Sequence, residues 1–259
     1  MPRDNSAVRL SLRTMIVIPA RLHSTRLPEK LLLAETGKPL IQHTYEAVSQ
    51  TAEIGEVVVA TDHASIAEAV RQFGGNVVMT SPDCASGTDR IAEVARSRAD
   101  IDLFINVQGD EPDISAESIL RLHGMLTSRP SISMATLATP IRDAAKLKDP
   151  SCVKVVCDDQ GQALYFSRAA IPHGRDWDET LLEADPPHFL QHLGIYAYRR
   201  DFLLRMAETP PSRLEQLEKL EQLRVLSLGE AIAVGVVDEA SIGIDTPADY
   251  ATFVRKMAS

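Results

Sequence analysis

Four short apolar runs, separated by helical patterns of about ten residues, dominate the first half of the chain and restrict it to a small set of folds. The runs are Met15–Pro19 (MIVIP), Val57–Ala60 (VVVA), Val77–Met79 (VVM) and Leu103–Val107 (LFINV). Their β-branched, nearly continuous apolar character is that of strands buried on both faces. Between them, residues 40–48, 66–73 and 88–98 repeat apolar side chains at helical spacing. Ser65 and Glu68 have the spacing of a capping box that would open the second helix. Strands alternating with helices in this way predict a doubly wound α/β domain, with a mostly parallel sheet and helices on both faces.

The alternation loosens after Pro140. Val153–Val156, the turn Asp158-Asp159-Gln160-Gly161 and Ala163–Phe166 read as a hairpin, and Tyr196–Tyr198 as a further strand. Leucines at 214, 217, 220 and 223 predict one helix over Leu214–Leu228. Residues 140–230 are therefore expected to form a smaller α+β subdomain, inserted in or flanking the sheet, within a single domain spanning 15–259. A strand at Ala231–Val237, the turn Gly243-Ile244-Asp245-Thr246-Pro247 and a last helix close the chain, while residues 1–14 read as a flexible arm.

With 259 residues and 44% hydrophobic content the chain is long enough for one large packed domain. No run approaches the roughly 20 apolar residues of a membrane span, and residues 1–13 lack the apolar stretch of a signal peptide. Cys84, Cys152 and Cys157 form no CxxC pair and are odd in number, which argues against a disulfide framework or a zinc site and fits a reducing cytoplasm. A net charge of -9 argues against nucleic-acid or anionic-membrane partners, so any anion must meet a local basic site.

In open α/β sheets ligands collect beyond the carboxyl ends of the strands. The loop after the first strand, PARLHSTRLPEK, has neither GxGxxG nor a P-loop pattern, but carries Arg21, Arg26 and Lys30 against the single acid Glu29. Guanidinium forks and an ammonium suit a triphosphate and its pyrophosphate leaving group; the same composition also fits a solvated basic loop. The loop after the fourth strand, Asn106-Val107-Gln108-Gly109-Asp110-Glu111-Pro112, places Asp110 where one or two carboxylates could hold Mg²⁺ together with phosphate oxygens. Asp245 is its proposed partner, although Asp before Thr-Pro also serves as a helix cap. Ser86, Gly87 and Thr88 precede a helix and would let backbone amides approach a base or phosphate, as would an ordinary cap. The histidines show no ligand spacing, and no serine or cysteine nucleophile motif is present.

Together, PARLHSTRLPEK, ATD (60–62), SGTDR (86–90), VQGDEP (107–112), ALYFSRAAIP (163–172), HLGIYAY (192–198), LEQLR (220–224) and GIDTPAD (243–249) closely resemble the 3-deoxy-manno-octulosonate (KDO) cytidylyltransferase family. The resemblance runs from Met15 to the last helix. It implies a homodimeric, Mg²⁺-dependent enzyme that transfers CMP from CTP to an eight-carbon acidic sugar for lipopolysaccharide biosynthesis. It further implies that Arg21, Arg26 and Lys30 bind the nucleotide phosphates, that Ser86, Gly87, Thr88 and Gln108 surround the cytidine, and that Asp110 and Asp245 bind the metal. Catalysis would rest on Lys30, Arg21 and Asp110. Arg168, His192, Tyr196, Glu221 and Gln222 match positions facing the sugar. Glu29 departs from the pattern, where a small residue such as glycine is expected.

The implied reaction is an in-line displacement at the α-phosphorus, with no side-chain nucleophile and with positioning and neutralisation as the protein's task. Competing readings are a cytidylyltransferase for 8-amino-KDO or a sialic-acid-like sugar, a nucleotidyltransferase for a sugar 1-phosphate, and a non-catalytic nucleotide-binding protein. Losing one charge-stabilising donor typically costs about 10²- to 10³-fold in rate. Steady-state assays of Lys30→Ala should show such a loss and of Asp110→Ala a larger one, with the fold retained; a normal rate in Asp110→Ala would contradict the metal assignment.

Overall fold

Side chains alternate along β1 (Thr14–Ala20) between two cores, because successive residues of a strand point to opposite faces. Met15 and Val17 belong to one buried cluster, Ile16 and Ile18 to the other. Burying each such side chain contributes roughly 1.5–3 kcal/mol. The strand is thus committed to the middle of a two-sided sheet. The computed structural model describes residues 12–258. The expected arm, residues 1–14, lies almost wholly outside them; Thr14 already belongs to β1, and Arg13 pairs with Asp100 at 2.7 Å.

The chain continues through α1 (Leu40–Ser49), β2 (Gly55–Thr61), α2 (Ala64–Gln72), β3 (Val77–Met79), α3 (Gly87–Ser97), β4 (Leu103–Asn106), α4 (Ala116–Ser128) and β5 (Met134–Pro140). A short helix α5 (Ala144–Lys148) precedes the hairpin β6 (Lys154–Cys157) and β7 (Ala163–Ser167). Then come β8 (Leu190–Arg199), α6 (Arg200–Glu208), α7 (Arg213–Glu218), α8 (Gln222–Ser227), β9 (Ile232–Val236) and α9 (Pro247–Met257). The sheet order is β3-β2-β1-β4-β8-β5-β9. β1 is parallel to β2 and β4, and β5 to β9, while β8 runs antiparallel between β4 and β5. Apolar residues of α1, α2, α4 and α9 fill the core on one face; those of α3, α6 and α8 fill the other.

The predicted α/β class is therefore present, as a mixed and mostly parallel sheet. Of residues 140–230, expected as a subdomain, β8 is a member of the main sheet, and the β6–β7 hairpin extends from it through Lys154 opposite Gln191. The predicted helix over 214–228 is instead two. Ser212 caps α7 in a capping box with Glu215, and the chain then turns at Lys219 with φ +55° before α8 begins. The leucine stripe is split accordingly: Leu220 and Leu223 are buried, whereas Leu214 and Leu217 are exposed. Arg224 clamps the two halves, donating to Glu215 at 2.8 Å and to the carbonyls of Met206 and Thr209 at 3.1 Å. The second helix also starts earlier than the Ser65 and Glu68 pattern predicts, with the His63 imidazole capping it by accepting from the Ser65 amide.

This topology fixes where a ligand can sit. From β1 the chain winds outward to β2 and β3, then crosses back to place β4 on the other side of β1. The loops leaving β1 and β4 diverge at that reversal, and the crevice between them lies at the carboxyl ends of the parallel strands.

Candidate active site

A cavity of about 740 Å³ occupies this crevice. Its floor is the loop after β4, where Gly109 passes so close to β1 and α1 that an added Cβ would lie 3.3 Å from both the Pro19 carbonyl oxygen and Ile41 Cδ1. The buried Thr44 hydroxyl anchors the same turn by donating to the Gly109 carbonyl at 2.9 Å. Asp110 follows immediately, and its carbonyl accepts from the Ile244 amide at 2.9 Å. That one backbone bond sets Asp245 beside Asp110 although the two are distant in sequence. α9 secures the second acid, since Thr246 caps it in a capping box with Asp249.

Lys30 stands between the two acids. It begins a single 3₁₀ turn, Lys30–Leu32, pinned by the buried Leu31. Its ammonium donates to Asp110 Oδ2, to Asp245 Oδ1 at 2.8 Å and to the Ile244 carbonyl at 3.0 Å. Burial disfavours the charge on Lys30, but Asp110 and Asp245 together outweigh burial and raise its pKa. Arg26 pairs with the other oxygen of Asp245 at 2.8 Å. Arg21 lines the cavity beside them. Glu29 is exposed, lies outside the cavity wall and adopts φ +51°, a left-handed conformation that favours glycine; this accounts for the small residue expected there.

The start of α3 forms one wall. Gly87 and Thr88 line the cavity, and Thr88 donates to Glu221 at 2.6 Å. Ser86 instead spends its hydroxyl on the capping box with Asp89. Gln108 reaches across to the Gly194 carbonyl at 3.3 Å. His192, Tyr196, Lys219, Glu221 and Gln222 also line the cavity. His192 is buried, hydrogen-bonded to Thr136 Oγ1 at 3.0 Å and flanked by the rings of Phe166 and Tyr196 at 5.0 and 5.4 Å. Burial pulls its pKa down to about 3 and pushes that of the Tyr196 phenol up. The imidazole is therefore neutral at physiological pH.

Besides Ser86, which does not line the cavity, Arg168 is the sequence-derived candidate that the structure sets apart. It is not among the cavity-lining residues; its guanidinium donates to the carbonyls of Glu218 at 2.8 Å and Pro150 at 3.0 Å. The fully buried Lys154 reinforces the same region by donating to the carbonyls of Asp149 at 2.8 Å and Arg168 at 2.7 Å.

Several further cavity or near-cavity residues are not singled out by the sequence, Arg90, Glu111, Asn106 and Gln191 among them. Arg90 is buried in the cavity wall and donates to Thr80 Oγ1 and, at 2.9 Å, to Asp62. Its motif, SGTDR, carries part of the family resemblance, but nothing in the motif marks the role of the arginine. Glu111, hydrogen-bonded by the Ser241 hydroxyl, has its pKa pushed up to about 7 by burial, with Asp110 and Asp245 adding to the rise against the Ser241 bond. Asn106 and Gln191 line the cavity from β4 and β8. The signal for Asn106 was a polar residue within an otherwise apolar strand.

Among the described residues no cluster of three or more His, Cys, Asp or Glu could hold a metal ion. Asp110 and Asp245 thus offer a two-carboxylate site. That matches Mg²⁺, which is commonly held by one or two carboxylates with the rest of its shell from substrate phosphate and water. The ammonium already seated between them shows that the pair can accommodate a cation.

A basic and acidic rim around a switch-point crevice suits a nucleotidyltransferase. Comparison with known proteins agrees. Residues 15–232 match the family model described as cytidylyltransferase. The 3-deoxy-manno-octulosonate cytidylyltransferase of Rhodopirellula baltica is 50% identical over 96% of this chain and 100% of its own length, and that of Syntrophotalea carbinolica is 50% identical over 90% and 94%. A solved CMP:2-keto-3-deoxy-manno-octonic acid synthetase complexed with CTP superposes with a TM-score of 0.88 at 44% identity, over 95% of this chain and 98% of its own. A 4-diphosphocytidyl-2C-methyl-D-erythritol synthase from Anaerococcus prevotii, 15% identical over 96% of this chain and 99% of its own, shares the fold with a TM-score of 0.61. The chain belongs to the cytidylyltransferases and, within them, to the 3-deoxy-manno-octulosonate cytidylyltransferase family.

The neutral His192 has a consequence for stability. Its pKa is about 3 in the fold against 6.5 for an ordinary histidine, so the unfolded chain binds the extra proton between those values. Stability contributed by keeping His192 neutral is fully present above pH 6.5 and lost as the pH falls toward 3. Urea unfolding should show that His192→Gln loses less stability than the parent between pH 7.5 and 5; the Glu111 contribution is common to both proteins. Identical pH dependences would contradict burial of a neutral imidazole.

Proposed function

We propose that this chain transfers CMP from CTP to the anomeric hydroxyl of KDO, releasing pyrophosphate, and so activates the sugar for lipopolysaccharide assembly in the cytoplasm. The observation that carries the reading is the Lys30 ammonium bridging Asp110 and Asp245 on the floor of the crevice, in a chain 50% identical to a KDO cytidylyltransferase over 96% of its length. None of the described helices is long and apolar enough to cross a membrane.

In this reading Asp110 and Asp245 hold Mg²⁺, which when bound supplies Lewis-acid neutralisation of phosphate charge. Arg21, Arg26 and Lys30 grip the triphosphate and take up the charge that grows on pyrophosphate. Gly87 and Thr88, with Gln108, flank the cytidine, while Ser86 serves by holding the start of α3. His192 meets the sugar as a neutral hydrogen-bonding ring, and Tyr196, Glu221 and Gln222 complete that wall. Arg168 acts on the sugar side at one remove, by fixing the segments around Pro150 and Glu218 that lead into the lining residues Ser151 and Lys219.

The exposed leucines Leu164, Leu214 and Leu217, on β7 and α7, supply apolar surface for the proposed homodimer. A pyrophosphate-release assay with CTP, Mg²⁺ and a panel of KDO, 8-amino-KDO and a sialic acid tests the activity. Rapid release with KDO that EDTA abolishes is expected. No release with KDO would overturn the activity, and undiminished release in EDTA would overturn the metal role.

A further inference from the structure

Five lysines and arginines line the crevice: Arg21, Arg26, Lys30, Arg90 and Lys219. Carboxylates hold three of them, since Arg26 pairs with Asp245, Lys30 with Asp110 and Asp245, and Arg90 with Asp62. Arg21 belongs to the loop that carries Arg26 and Lys30 and shares their proposed grip on the triphosphate. Lys219 stands apart from this group, on the turn between α7 and α8. It is exposed, and among the described residues its ammonium makes no ion pair or hydrogen bond.

The backbone at Lys219 is strained and firmly held. Its φ of +55° and ψ of +49° lie in the left-handed region, where the Cβ of an ordinary residue crowds the following carbonyl. Bonds on both sides impose that conformation. Glu215 is clamped by Arg224 at 2.8 Å, and the Glu218 carbonyl accepts from the Arg168 guanidinium at 2.8 Å. The Glu218 carboxylate accepts from the Ser167 hydroxyl at 2.7 Å and from the Arg168 amide at 2.9 Å, while Thr88 fixes Glu221 at 2.6 Å. Residue 219 is therefore pinned at the edge of the crevice, with only its own side chain left free to move. A strained residue that its surroundings hold in place beside a cavity, and whose charge nothing in the protein answers, has the marks of a ligand contact.

We infer that Lys219 is a substrate-binding residue whose ammonium takes an anionic group of a substrate, a carboxylate or a phosphate, an inference that rests on the activity proposed above. Both substrates of that activity are anions, and the chain that must admit them carries a net charge of -9. An ammonium has three donors and no acceptor, so it satisfies carboxylate or phosphate oxygens. The four-carbon stem gives it the reach to follow a ligand into the crevice from a fixed backbone.

The test is steady-state pyrophosphate release by the parent, Lys219→Gly, Lys219→Gln and Lys219→Arg, with KDO and CTP varied in turn. Glycine adopts the left-handed turn without a Cβ, and this relief opposes the larger conformational entropy that glycine loses on folding, so Lys219→Gly should melt close to the parent temperature. In Lys219→Gly and Lys219→Gln the KM for the substrate that bears the anion should rise about five- to tenfold, between the worth of an exposed ion pair and that of a charged hydrogen bond, with kcat within about twofold. The rise should shrink as salt is added, and Lys219→Arg should recover most of the affinity. A raised KM for KDO assigns the contact to the sugar carboxylate and a raised KM for CTP assigns it to a phosphate; either outcome supports the inference. Parent values of both KM in Lys219→Gln, a loss confined to the glycine variant, or a Lys219→Arg enzyme as impaired as Lys219→Gln would each overturn it. Parent enzyme that turns over KDO while the variants match it overturns this inference alone; parent enzyme inert toward KDO overturns the proposed activity and the inference with it.

Discussion

Two carboxylates held face to face around one ammonium are the constraint on which the crevice depends. Without a cation, Asp110 and Asp245 would repel each other in a partly desolvated site, and the strongest way to relieve this would be to separate the loops that carry them. Lys30, 13% exposed, supplies that cation from a third loop and is tied to the Ile244 carbonyl as well. Three segments that leave β1, β4 and β9 are thereby drawn to one point. The Ile244 to Asp110 backbone bond and the Thr44 to Gly109 bond make the point rigid.

Local conformational and electrostatic costs gather elsewhere around the same cavity. Lys219 adopts a left-handed backbone conformation that costs a non-glycine residue about 1 kcal/mol or more, and His192 is held neutral far from its ordinary pKa. Asn106, Gln191 and Gln222 each leave a polar atom unpaired. These costs cluster around the crevice while the sheet behind it is densely apolar, so the cores on its two faces maintain an arrangement that local forces alone would not select.

Much of this was legible in the amino-acid sequence because it is local. The alternation up to Val107 predicts the α/β class, and the hairpin around Asp158–Gly161 follows from its turn residues. Arg21 and Asp110 stand out as polar residues soon after apolar strands, Lys30 as a cation in the same loop as Arg21 and Asp245 through the GIDTPAD turn, and the structure places all four on the cavity wall. What was not legible depends on distant partners. β8 carries polar Gln191 and His192 and a pairing irregularity opposite Thr136/Leu137, so only its Tyr196–Tyr198 end reads as a strand. The break at Lys219 is invisible to leucine spacing, because it is imposed by the Glu215–Arg224 clamp and by Thr88 bonding Glu221. Arg90 looks like any helical surface arginine until Asp62 and Thr80, brought by neighbouring strands, enclose it.

The geometry at Lys30 is open to direct observation. Anomalous diffraction from crystals of the protein grown with CTP and Mn²⁺ would locate a divalent cation relative to the three side chains. The expected result is an ion within about 2.1 Å of one oxygen from each of Asp110 and Asp245, the distance of a hard cation on carboxylate oxygen, with the Lys30 nitrogen moved onto a phosphate oxygen. An ion bound away from both carboxylates, with Lys30 still bridging them beside the triphosphate, would contradict it.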